Sequence, residues 1–245
     1  MEVCPNMGKT KLTKYLSIFC NKNSLPTYSE SKIGRIIKEK KIYHQRQKIS
    51  HFGKIKIVKR TKKLRKPSDL TINSPGDLVE IDIIVRFIGS MKRYIVTAID
   101  VHSRYSFALC YTRHNSLSAK DFMQKLEKVS PYKIKAIQTD NGSEFLGEFD
   151  NYLKRKKIKH LFIYPRCPKI NGFVERANRT LNEEFLISYP FYDDRDLNKF
   201  NKDLIEHLIW FNTIRPHYSL GNLSPIDYMI KLNKESHMYA TYTMN

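Results

Sequence analysis

Long apolar runs are missing from this 245-residue sequence. No stretch approaches the roughly 18 uninterrupted apolar residues that a membrane-spanning helix requires, and no cleavable signal pattern opens the chain. A cytoplasmic protein is the expectation. Paired cysteines are missing too: Cys4, Cys20, Cys110 and Cys167 are scattered without a C-x-x-C unit, so neither a zinc site nor a disulfide framework is indicated. Acidic residues are scarce at the front, where residues 1–70 hold 19 Lys or Arg against 4 Asp or Glu, most of a formal net charge of +20. Such an excess points to a polyanionic partner, with nucleic acid ranking ahead of a membrane surface and residence near the nucleoid following from it. At 41% hydrophobic, the chain can bury one core of moderate size beside a small appendage.

In the basic front, Leu12, Tyr15, Leu16 and Phe19 recur at helical spacing over Lys11–Lys22, and Leu25-Pro26-Thr27-Tyr28-Ser29 ends that helix. Ser29 is placed to cap a second helix, about Glu30 to Lys41, with Ile33, Ile36 and Ile37 on one face. Lys32, Arg35, Lys38 and Lys40 fall largely on the others. Helix, short turn and basic helix suggest a helix-turn-helix over residues 1–53, with Lys32, Arg35 and Lys38 contacting double-stranded DNA. The plainer alternative is a solvated basic hairpin. From Lys54 to Lys66 eight of thirteen residues are Lys or Arg, so residues 54–75 read as a basic linker suited to phosphate contact.

A larger unit, residues 76–232, follows, with a tail over 233–245. Strand signals occur at Leu78–Val85, Arg93–Ile99 and Tyr105–Tyr111, joined by short links that favour an antiparallel meander. A helix starting near Ser118 carries Phe122, Leu126 and Val129 as its apolar stripe and stops at Pro131. Ile134–Gln138, Glu144–Lys156 and His160–Ile163 then read as strand, helix and strand. Leu197, Phe200, Leu204, Leu208 and Phe211 mark a long packed helix with Trp210 beside its stripe. Asp100 reads as a turn-former, and His102 and His114 as surface residues without a metal-ligand partner.

Three acids stand out against this frame. Asp82 interrupts the β-branched run Val79-Glu80-Ile81-Asp82-Ile83-Ile84-Val85, and an ionised carboxylate in such a strand is costly unless a cation or donors compensate it. Asp140 stands where an apolar strand ends, the place where ligands gather in open α/β sheets. Glu175 lies early in a helix that follows Asn171-Gly172. Taken singly, each has an ordinary explanation: an edge carboxylate, a turn or cap residue, a partner of the helix dipole. Together, three oxygen ligands with waters suit Mg²⁺ or Mn²⁺.

The intervals are 57 residues from Asp82 to Asp140 and 34 from Asp140 to Glu175. With the phrases Thr139-Asp140-Asn141-Gly142-Ser143-Glu144-Phe145 and Asn171-Gly172-Phe173-Val174-Glu175-Arg176-Ala177-Asn178-Arg179-Thr180, residues 74–232 resemble the catalytic core of the DDE transposases of bacterial insertion sequences, which share the retroviral-integrase fold. Phe211-Asn212-Thr213-Ile214-Arg215-Pro216-His217-Tyr218-Ser219-Leu220 resembles the family's closing phrase, with Phe211 in the usual Tyr place. The resemblance implies an RNase H-like α/β fold: a mixed five-stranded sheet flanked by helices, behind the small all-α front. It also implies that Asp82, Asp140 and Glu175 hold two Mg²⁺ or Mn²⁺ ions for strand cleavage and 3′-hydroxyl transfer, and that at least a dimer bridges two DNA ends. Arg166 and Lys169, in the loop before Glu175, and Arg176 and Arg179, on its helix, are candidate DNA contacts. The rivals are a nuclease that stops at hydrolysis and a truncated, non-catalytic DNA-binding derivative, the second suggested by the short front end.

Overall fold

The computed structural model describes residues 8–40, 47–49, 55–57, 63–67, 69–88, 91–164, 171–189 and 196–242, with side chains omitted in the two short front strands, at Ile88 and beyond residue 234. The chain divides into two compact units, Met1–Lys62 and Lys63–Asn245.

The front unit is not all-α as expected: it holds helices α1 (Lys9–Lys22) and α2 (Glu30–Glu39) and also a two-stranded antiparallel ribbon, β1 (Gln47–Ile49) with β2 (Ile55–Ile57). Ser29 caps α2 as its sequence suggests, its side chain accepting from the Lys32 amide at 3.3 Å. Cys20 and Ile33 are the buried residues of the helix pair. Lys9 and Thr10 both reach Glu30, so the start of α1 is tied to the start of α2.

The larger unit is built on a mixed five-stranded sheet in the order β5-β4-β3-β6-β7. Strands β3 (Val79–Ile88), β4 (Met91–Asp100) and β5 (Ser106–Tyr111) form the antiparallel meander. β6 (Ala136–Thr139) adds parallel to β3, and β7 (Lys159–Phe162) parallel to β6. Each parallel step needs a crossover, supplied by α3 (Ser116–Val129) before β6 and α4 (Glu148–Lys156) before β7. This arrangement is RNase H-like, as expected.

Alternation along β3 decides what each face carries. Val79, Ile81 and Ile83 join Phe122, Met123 and Leu126 of α3 and Phe149 and Leu153 of α4 in the first core cluster. Ile84 belongs to the second, with Ile95, Cys110, Leu181 of α5 (Gly172–Leu181) and Phe200, Leu204 and Leu208 of α6 (Leu197–Thr213). Glu80 and Asp82 share the register of Ile84 and so face the α5 side. A π-turn over Asn182–Leu186 continues α5, and α7 (Pro225–Tyr242) follows α6.

β5 is an edge strand, and α6 covers its exposed backbone. Asn201 receives the Cys110 amide at 2.7 Å and donates to the Cys110 carbonyl, while Asn212 does the same with Ser106 at 2.9 and 2.8 Å. Two side-chain amides thereby replace a missing strand.

Several local expectations change. The helix expected over Glu144–Lys156 is broken: a 3₁₀ turn covers Ser143–Phe145, and α4 begins after Gly147, whose φ of +60° no helix accommodates. Val129 is exposed, and the buried stripe of α3 is Ala119, Phe122, Met123 and Leu126. Asp100 does close a turn but is fully buried, accepting from the Gly76 amide and from the amide and hydroxyl of Ser103 at 2.7–2.8 Å. His114 is not an isolated surface residue, since it stacks on Tyr94 and pairs with buried Glu144 at 3.0 Å.

Candidate active site

Parallel pairing of Glu80 with Gln138 fixes the relation of the first two acids. Asp82 and Asp140 each lie two residues beyond that pair on neighbouring strands, so alternation returns both to the face of Glu80 and Gln138. The third acid arrives because Glu80 holds its helix. Glu80 Oε2 accepts the amides of Phe173 and Val174 at 3.1 and 3.0 Å, which anchors the first turn of α5 on β3 and brings Glu175 to the same end of the sheet. Glu175 is exposed, whereas Asp82 and Asp140 are half-buried.

Electrostatics record the convergence. Burial raises the Asp82 carboxyl above its usual range, and the negative charges of Asp140 and Glu175 push it further the same way. Among the described residues, none of the three acids forms an ion pair. Asp140 spends Oδ1 on the Gly142 amide at 2.8 Å, and Asp82 spends Oδ2 on the Asn178 amide at 2.9 Å. Each keeps its other oxygen. No three His, Cys, Asp or Glu side chains among the described residues are drawn together as a finished metal cage.

Comparison with known proteins agrees with the fold. Two family models, both described as "Integrase core domain", match residues 72–168 and 156–225. The chain belongs to the integrase core family. An uncharacterized 39.2 kDa protein of insertion element IS476 from Xanthomonas euvesicatoria is 24% identical over 200 residues, covering 78% of this chain and 55% of that protein. The Pol polyprotein of equine infectious anemia virus (isolate 1369) is 37% identical over 94 residues, 38% of this chain and 8% of the polyprotein. The chain therefore spans about half of the insertion-element relative and under a tenth of the viral one. The crystal structure of the BIV integrase catalytic core domain superposes with a TM-score of 0.50 at 19% identity, over 65% of this chain and 97% of that one.

The integrase core surrounds its acids with polar side chains that motif matching passes over. Glu80, Gln138 and Asn171 form a buried row in which the Gln138 amide donates to Glu80 Oε1 at 3.1 Å and to Asn171 Oδ1 at 3.2 Å. Burial pushes the Glu80 carboxyl up to about 7, against the pull of the Val174 and Phe173 amides and of Lys66. Asn178, on α5, links Asp82 to the Thr97 hydroxyl, which donates to Asn178 Oδ1 at 2.7 Å. The signals were present: Glu80 and Gln138 each precede a motif Asp by two residues, and Asn178 follows Glu175 by three, one helical turn.

Of the basic residues singled out by sequence, Arg176 and Arg179 are exposed on α5, and Arg166 and Lys169 lie outside the described residues. Lys32, Arg35 and Lys38 are exposed on α2 in the other unit. Arg215 is structural, gripping Glu184 through both its Nε and Nη2 at 2.6–3.1 Å. Among the described residues no helix is long and apolar enough to cross a membrane.

Proposed function

We propose that this chain is a DDE polynucleotidyl transferase, cutting a DNA strand by hydrolysis and joining the freed 3′-hydroxyl to target DNA, with Asp82, Asp140 and Glu175 as the working acids. The observation that carries this is the placement of the three acids at one end of the sheet, Asp82 and Asp140 two residues beyond the Glu80–Gln138 pair and Glu175 on the helix that Glu80 anchors, with no ion pair to any of them among the described residues. Carboxylates so placed are costly alone and are compensated by hard divalent cations. The donor set fits Mg²⁺ or Mn²⁺: all ligands are oxygens, Asp82 and Asp140 each retain a free oxygen, and Glu175 is exposed on its helix. Two such ions, when bound, activate the attacking oxygen and stabilise the leaving one.

The chain's own residues hold this arrangement. Asn178 fixes one carboxylate oxygen of Asp82, the Gly142 amide fixes one of Asp140, and Glu80 sets the helix that brings Glu175. A putative integrase of Spiroplasma virus SpV1-C74, 26% identical over 168 residues, supports the reading. In the same reading residues 1–53 form a helix-turn-helix that recognises element ends through Lys32, Arg35 and Lys38. Residues 54–75 track the backbone, residues 76–232 carry the chemistry ahead of the 233–245 tail, and at least two copies act together on DNA. Arg166, Lys169, Arg176 and Arg179 hold the strand near the acids.

The test is nicking and joining of plasmid DNA with Mg²⁺ or Mn²⁺ by wild type and Asp140→Asn. Metal-dependent activity lost in the variant is expected. Duplex binding with equally negligible cutting by both proteins would remove the catalytic reading in favour of a DNA-binding derivative.

A further inference from the structure

The basic segment before the core does not run free to its end. Residues 63–65 lie along β7, where Arg65 pairs parallel with Phe162 and the Phe162 amide donates to the Leu64 carbonyl at 2.8 Å. The side chains on either side of Leu64 then point to one place. Lys63 Nζ donates to the backbone carbonyl and side-chain oxygen of Asn141 at 3.3 and 3.1 Å, and Arg65 Nη1 donates to the same side-chain oxygen at 3.3 Å and to the Ile163 carbonyl. Asn141 is held in turn by its own amide group, which donates to the Ile163 carbonyl at 2.9 Å. Aromatic rings complete the seat, with Lys63 Nζ 4.6 Å from the centre of Phe162 and the Arg65 guanidinium 5.4 Å from that of Tyr164.

Two cations thus share one neutral acceptor. Neither forms an ion pair among the described residues, and both are half-buried. Bringing like charges together away from bulk water is unfavourable until an anion joins them. Their seat, Asn141, is the residue after Asp140. Burial and the Arg65 charge lower the Lys63 ammonium from its usual range, while Asp140 pulls it back up, which places this pair within the field of the acids. Arg65 retains Nε and Nη2 without a partner among the described residues, a pair of donors matched in spacing to two phosphate oxygens.

We propose that Lys63 and Arg65 clamp one backbone phosphate of the DNA strand that enters the acidic site, docking the basic segment onto the turn that carries Asp140. The proposal rests on the nucleic-acid reading above but not on catalysis. Binding a phosphate here satisfies both cations and positions the strand beside the acids. It also adds the sequence-independent attraction that phosphate neutralisation supplies.

The experiment is fluorescence anisotropy of a short labelled DNA duplex with the full chain, in chelator so that no cutting intervenes, over a range of salt concentrations. Four proteins are compared: wild type, Lys63→Gln with Arg65→Gln, the charge-retaining Lys63→Arg with Arg65→Lys, and a control with Lys125→Gln and Lys128→Gln on α3. Neutralising the clamp is expected to weaken binding and to reduce the slope of log affinity against log salt by about 1, whereas the charge-retaining and control proteins keep the wild-type slope. An unchanged slope in the neutralised protein would overturn the proposal. So would a failure of duplex DNA to protect Lys63 of the wild type from amine acetylation, a measurement that stands even where the double variant does not fold. Inactivity of the wild type in the nicking assay would count against the catalytic reading while leaving this binding result intact.

Discussion

Among the described residues, Asn178 is the side chain that hydrogen-bonds the Asp82 carboxylate. Its amide nitrogen donates to Asp82 and its oxygen takes the Thr97 hydroxyl, so the side chain cannot turn without losing both bonds. Asn178→Ala is expected to reduce metal-dependent nicking about 10- to 100-fold, as loss of a ligand's orienting partner commonly does, while the melting temperature changes little. Plasmid nicking rates beside a thermal melt check this. Asp77 gives a stability prediction at the same scale. Burial alone would raise its carboxyl, but Lys135 at 2.6 Å and the Asn73 and Ser74 amides at 2.9 Å outweigh burial and hold it down at about 2. A carboxyl lower in the folded chain than its ordinary 3.8 stabilises the fold while ionised. That contribution is complete above the ordinary value and disappears as pH falls towards 2. The melting-temperature gap between wild type and Asp77→Asn should therefore be constant at neutral pH and close in strong acid; a gap that widened in acid would contradict the assignment.

At the scale of elements, α6 separates residues that carry packing from residues that do not. Leu204 is fully buried in the second core cluster, whereas Ile209, on the same helix, is 57% exposed. Leu204→Ala should cost about 3 kcal/mol and Ile209→Ala well under 1 kcal/mol, as measured by denaturant unfolding. This helix was legible in the sequence because its stripe is local and periodic, and the meander was legible because short links leave antiparallel neighbours little choice. The motif acids were equally legible, since each sits in a distinctive phrase. What stayed hidden was set by contacts distant in sequence. Nothing near residue 65 announces Phe162 as a partner, and nothing near Glu80 announces the first turn of α5, 93 and 94 positions away. The break at Gly147 escaped for a different reason: a helical pattern tolerates one glycine, and only its positive φ shows that the chain turns there.

Over the whole chain, the formal charge of +20 means that the proposed DNA binding would be strongly ionic. Raising monovalent salt from about 50 to about 200 mM should weaken duplex binding on the order of a thousandfold, the change expected when six or more phosphates are neutralised. A titration showing less than tenfold loss would mean that the excess charge mostly faces solvent. Against this diffuse attraction, the acids depend on a single alternation along β3, where Ile81 and Ile83 serve the α3 side while Glu80 and Asp82 serve the α5 side. Losing one codon between Val79 and Asp82 would reverse the strand's faces upstream of the deletion. Loss of Ile81, for instance, would put the Glu80 carboxylate in the apolar layer and Val79 in the polar one. Substitutions across this strand are graded in their effect, but a deletion that preserves the reading frame is not; the gene can vary here in spelling far more readily than in length.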